Sequence, residues 1–121
     1  MKKYLLLALL LPGIAAAHSQ SPSKIKKYVG TDRTSVQISL TNTDAKARGF
    51  EIIVDEKVLG EVYLKPDENK KLNLNLKIDE RDQWVHKIVS TRSIPQKGES
   101  VRTEIQSKVS LHRPTLKSEK S

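Results

Sequence analysis

Three histidines and fourteen carboxylates, with no cysteine, are what this chain offers for proton, metal or nucleophile chemistry. The carboxylates cluster in short polar runs, at Asp55-Glu56, Asp67-Glu68, Asp79-Glu80 and Asp82. Acids in such runs accept backbone hydrogen bonds in turns and keep the chain soluble. Serines are frequent, yet none lies in a nucleophile-elbow context, and no glycine-rich run could cradle a phosphate. A catalytic triad would have to be built on His86 or His112. The expectation is a protein without enzymatic activity and without a cofactor.

The remaining chemistry-bearing residues are basic. The net charge is +8, and the lysines run from Lys24 to Lys120 without forming one block. Such a surface serves solubility, or attracts acidic partners such as an anionic membrane, a surface polymer or an acidic client protein. Lys24, Lys26, Lys27, Arg102 and Lys108 fall on two candidate border strands and are the candidate client-binding residues.

The start of the chain, MKKYLLLALLLPGIAAAHSQ, sets the compartment. Lys2 and Lys3 precede a short apolar run, Pro12 and Gly13 break it, and Ala15-Ala16-Ala17 suits a signal peptidase. This is the layout of a cleaved secretory signal peptide over residues 1–17, and the apolar run is shorter than the ~20 residues a membrane span needs. The expectation is a periplasmic protein with no stable membrane insertion and no nucleic-acid partner. Cleavage leaves roughly 100 residues, the size of one domain.

The elements that must position these residues are strands. KKLNLNLKID alternates apolar Leu72, Leu74, Leu76 and Ile78 with polar Asn73, Asn75 and Lys77, the period of a half-buried strand. SVQISLTN alternates Val36, Ile38 and Leu40 in the same way. Further strands are predicted at Ser23–Val29, Phe50–Val54, Val58–Leu64, Trp84–Arg92 and Val101–Leu111, with a bulge at Gly60. No sustained helical period occurs after the signal. Seven short strands with regular turn signals predict an all-β, immunoglobulin-like antiparallel sandwich. Its parts are a polar leader over 18–22, the sandwich over 23–112 and a basic tail over 113–121. The ribbon leucines are expected to pack with Val36, Ile38, Leu40, Ile88 and Ile105. Trp84 reads as a core or rim aromatic or a stacking platform, and His86 as a semi-buried histidine on the face of Ile88.

Border strands of an open sandwich expose unpaired backbone groups. Lys24, Lys26 and Lys27 on Ser23–Val29 either guard that edge or receive an acidic extended segment. Val101–Leu111 is expected as a second, longer edge, with Arg102, Glu104, Gln106 and Lys108 facing away from the core.

The run FEIIVDEKVLGEVYLKPDENKKLNLNLKI resembles bacterial immunoglobulin-like domains of the adhesion and cell-surface type. SLTNTD and IPQKGESVRTEIQSKV are similar to the N-terminal domain of periplasmic pilus chaperones, and LNLNLKIDERDQWVHKIVS is similar to the small curli-assembly chaperones. The resemblance implies an accessory or chaperone that binds an extended or unfolded fibre subunit during assembly of a surface fibre. It also implies an alternative, a structural or adhesive module of an envelope complex. Two departures bear on mode: the chain has no room for the second domain of a pilus chaperone, and the outward face of the last strand is polar where theirs is apolar. His18 carries a second alternative. As a processed N-terminus it would offer an amine and an imidazole to one copper ion, as in periplasmic copper carriers with such sandwiches, which this arrangement resembles.

Overall fold

The computed structural model describes residues 18–115; the signal peptide expected at 1–17 and the tail beyond 115 lie outside the described residues. Among the described residues eight strands form: β1 His18–Ser21, β2 Lys24–Tyr28, β3 Arg33–Asn42, β4 Arg48–Val54, β5 Lys57–Leu64, β6 Asn69–Lys77, β7 Trp84–Ser93 and β8 Glu104–His112. They make two sheets, ordered β1-β3-β6 and β2-β8-β7-β4-β5. The result is an immunoglobulin-like β-sandwich, as the alternation predicts. All pairs are antiparallel except β2 with β8, which is parallel.

The core lies between the sheets and follows the period-2 pattern. β3 contributes Val36, Ile38 and Leu40; β6 and the residue after it contribute Leu72, Leu74, Leu76 and Ile78. From the other sheet come Phe50, Ile52, Leu64, Val89, Val109 and Leu111. Each such side chain adds ~1.5–3 kcal/mol by leaving water, and it can do so only in this register, because a slip of one residue would turn the whole set outward. The ribbon's dry face therefore joins the core shared with the five-stranded sheet. Val36, Ile38 and Leu40 are its neighbours in its own sheet rather than in the opposite one.

Three expectations are corrected here. Ile88 points to the outer face, 36% exposed, and Ile105 lies outside the core cluster. In WVHKIVSTR the apolar residues occupy both parities, and Val85 and Val89 rather than Ile88 face inward; His86 shares the outer face with Ile88. The strand expected over Val101–Leu111 starts at Glu104, leaving Val101 exposed ahead of it. It is not an edge either: β2 pairs on one side of it and β7 on the other. The residues read as a polar leader form β1, antiparallel to β3.

β1 and β2 are one extended run divided at Pro22, whose peptide bond with Ser21 is cis. The first half joins one sheet and the second half joins the other. β1 docks through polar groups. The His18 ring is 3% exposed, packs on Phe50 at 4.7 Å between centroids, and meets Thr91 Oγ1 at 3.1 Å and Thr103 Oγ1 at 3.2 Å. Gln20 donates to Val89 O and to Ser107 Oγ.

The β4–β5 hairpin turns at Asp55 and Glu56, with φ of 48° and 70°, the left-handed geometry that matches strand twist in a two-residue turn. The register then shifts between Ile52↔Gly60 and Ile53↔Val58. Leu59 is left over as the bulge, beside the glycine that predicts it. Further along, Tyr63 lies across Gly49, where a Cβ would stand 2.5 Å from a ring carbon. Only glycine lets the ring cover that strand.

Candidate functional site

Among the described residues β2 has a single neighbour, β8, and so borders the five-stranded sheet. Lys108 N donates to Ser23 O, and Val29 N donates to His112 O. In a parallel ladder, successive residues turn their backbone groups to alternate sides. Odd-numbered residues of this run therefore face β8, while Lys24, Lys26 and Tyr28 turn their N–H and C=O outward. The same three place their side chains on the outer face of the sheet, because side chain and backbone alternate together.

The register brings a set of groups together on that face. Lys24 lies opposite Lys108, Lys26 opposite Ser110, and Tyr28 opposite His112. One strand further in, Trp84 lies beside His112 and His86 beside Ser110. Tyr28, Trp84 and His112 form a triangle with centroids 5.2, 5.5 and 5.1 Å apart. Lys26 Nζ stands 4.7 Å from the Trp84 ring centre, a cation–π contact worth about 0.5–1 kcal/mol at an exposed site. Tyr28 remains 69% exposed. His86 Nδ1 lies 2.8 Å from Ser110 Oγ, and His112 Nδ1 is buried without a hydrogen-bond partner among the described residues.

Of the five basic residues singled out in the sequence, three meet here: Lys24, Lys26 and Lys108. Lys27 projects from the other side of β2 and donates to Ser35 O at 3.0 Å. Arg102 lies toward the far end of β7, donating to Ser93 O and to Glu51 Oε1. Alternation in the sequence could have separated Lys27 from Lys24 and Lys26. What it could not supply is the strand order that sets Lys108 beside Lys24 and gathers Tyr28, Trp84 and His112.

The far end handles positive charge by pairing it. Arg48, 8% exposed, holds Glu99 through two parallel bonds of 2.8 and 2.9 Å and Asp44 through Nε at 2.8 Å. The guanidinium keeps the Glu99 carboxyl down at about 2 and lowers Asp44 as well. Arg92 and Arg102 share Glu51 at 3.0 Å each. Lys24 and Lys108 have no ion pair among the described residues.

His18, the candidate copper ligand, sits in the β1 seam. Both ring nitrogens face threonine oxygens, and burial pushes its pKa below the ordinary value. The arrangement holds a neutral imidazole as a structural bridge, and it does not present that ring at the surface. Among the described residues, no group of three or more His, Cys, Asp or Glu side chains is placed to hold a metal, and no helix is long and apolar enough to cross a membrane.

No family model and no curated protein matches the chain. Among solved structures it is similar to the periplasmic chaperone SfaE, with a TM-score of 0.64 at 12% identity, covering 85% of this chain and 62% of that one. The chain thus spans less than two thirds of that protein's length. At this identity the likeness is one of fold, and it agrees with the pilus-chaperone resemblance carried by SLTNTD and the run from Ile94 to Val109.

Proposed function

We propose that the protein is a non-enzymatic accessory of the periplasm that holds an extended, aggregation-prone subunit during assembly of a surface fibre, of the curli or pilus kind. The observation that carries this reading is the open β2 edge. It joins outward backbone groups at Lys24, Lys26 and Tyr28 to a lysine cluster without acidic partners among the described residues. An unpaired edge accepts a strand, and the lysines favour a strand that is acidic. The likeness in fold to a periplasmic chaperone supports the same reading.

Charge-guided holding is screened by salt. The Debye length falls from ~10 Å at 0.1 M to ~3 Å at 1 M. The protein should therefore delay fibre growth of a curli-type subunit, followed by thioflavin fluorescence, strongly at low salt and weakly at high salt. No delay at any salt concentration would remove the proposal.

A second reading has its own observation. β5 is the other edge of the same sheet and exposes Val58, Leu59 and Tyr63 at 45%, 52% and 71%. An apolar edge suits lasting contact in an envelope complex, so a structural or adhesive module predicts stable co-purification with an envelope protein and no effect on fibre kinetics.

A further inference from the structure

We infer that the β2 edge reads a short code in its partner: an antiparallel strand of the form aromatic-x-acidic-x-acidic. This rests on the reading that the protein holds an extended segment, and it names the chemistry of that segment. Lys24, Lys26 and Tyr28 combine outward backbone groups with outer-face side chains. A strand added antiparallel to them exchanges both backbone bonds with each of the three, and the residues directly opposite share their face at about 5.5 Å between Cα atoms. Running antiparallel, the partner first meets Tyr28, then Lys26, then Lys24.

The side chains define what fits at each position. Opposite Tyr28 lies the triangle with Trp84 and His112, which offers ring faces and edges to an aromatic side chain. Ring pairs at this spacing add affinity beyond the area they bury. Opposite Lys26 and Lys24 the partner meets positive charge that Lys108 reinforces from the next strand. Lys24 and Lys108 face each other as like charges, an arrangement that weakens a sheet, and a carboxylate between them would relieve it. The two positions between the code residues meet Ile25 and Lys27 and are left to strand-forming residues. A polypeptide, rather than another polyanion, is the occupant because half of what the edge presents is backbone donors and acceptors.

Trp84 is the chain's single tryptophan and lies inside the site, so its fluorescence reports occupancy. The test titrates the full-length processed protein with a capped peptide containing Phe-Thr-Asp-Thr-Asp. The controls are the same peptide N-methylated at both aspartates, and inorganic polyphosphate. The expected result is a saturable change with the peptide, at least about tenfold weaker binding after N-methylation, and about tenfold weaker binding to the double variant Lys24→Gln/Lys108→Gln. That variant should also melt at a higher temperature than the parent, which a merely structural role for the lysines would not give. Equal binding of the N-methylated peptide and polyphosphate would overturn the inference in favour of a plain anion site; so would no change with any peptide. If the peptide fails while the protein still delays fibre growth, the code is wrong and the holding role stands. If both fail, the holding role falls as well.

Discussion

Positive charge gathers at two ends of this sandwich, and the ends treat it in opposite ways. Around the loop between β7 and β8, every arginine meets a carboxylate: Arg48 with Glu99 and Asp44, Arg92 and Arg102 with Glu51. Along β2, Lys24 and Lys108 face each other with no ion pair to an acid among the described residues. Arginine's planar fork suits fixed, bidentate pairing, whereas lysine is a mobile point charge that can be satisfied by whatever arrives. The first end uses charge to fix a loop. The second carries an unfavourable pair of like charges. On the proposed reading, matched charge belongs to the fold and unmatched charge serves the partner.

The contrast can be broken from either side. The largest effect belongs to Arg48. Replacing it with Ala removes a buried guanidinium and leaves two carboxylates facing each other; loss of one member of a buried pair costs about 3 kcal/mol. Urea unfolding should show that loss, while client binding at β2 stays within about twofold, since the site is at the other end. A comparable loss of binding would mean that the two ends are not independent.

Next comes the β1 seam. His18→Ala removes ring packing on Phe50 and the polar contacts to Thr91 and Thr103, and should lower stability by about 2 kcal/mol. The pH dependence sharpens this. The His18, Asp44 and Glu99 pKa values all lie below their ordinary ones in the folded protein. The unfolded chain therefore binds protons first, and stability present at neutral pH is lost as pH falls. The loss begins below the ordinary histidine value of 6.5 through His18. It continues below 4.5 toward about 2 through Glu99. Midpoints of urea unfolding between pH 7 and 3 should fall in those two stages. The His18 variant should lack the first stage, and the Arg48 variant most of the second.

The smallest expected effect has the opposite sign. Lys24→Gln/Lys108→Gln removes a like-charge pair and should stabilise the sandwich by about 0.5 kcal/mol, seen as a raised urea midpoint, while holding of the client weakens. Destabilisation would show that these lysines are part of the fold after all.

Much of this was legible in the residues. Alternation in β3 and β6 is regular and the apolar set occupies one parity, so fold class and most of the core follow from it. Asp55-Glu56 and Gly60 announce the hairpin and its bulge. What failed, failed for a common reason. In β7 the apolar residues sit on both parities, so Ile88 reads as core when only packing into the shared core decides that Val85 and Val89 turn inward. Strand order is likewise not a local property. β8 looks like a border strand because of its length, yet β2 covers its side. The polar composition of HSQS hides β1, whose inward residues are held by hydrogen bonds instead of apolar area. The basic site was half visible: Lys24, Lys26 and Lys108 stand out in the sequence, and Trp84 as a stacking platform, while their gathering with Tyr28 and His112 comes only from the pairing.

The central claim is that an extended client adds to β2. Amide hydrogen exchange tests it most directly, residue by residue. In the protein alone, the amides of Lys24, Lys26 and Tyr28 should exchange quickly, and those of Ile25 and Lys27, bonded to β8, slowly. With client bound, the three fast amides should slow and the other two should not change. Protection appearing instead along β5, or nowhere on β2, would contradict the account.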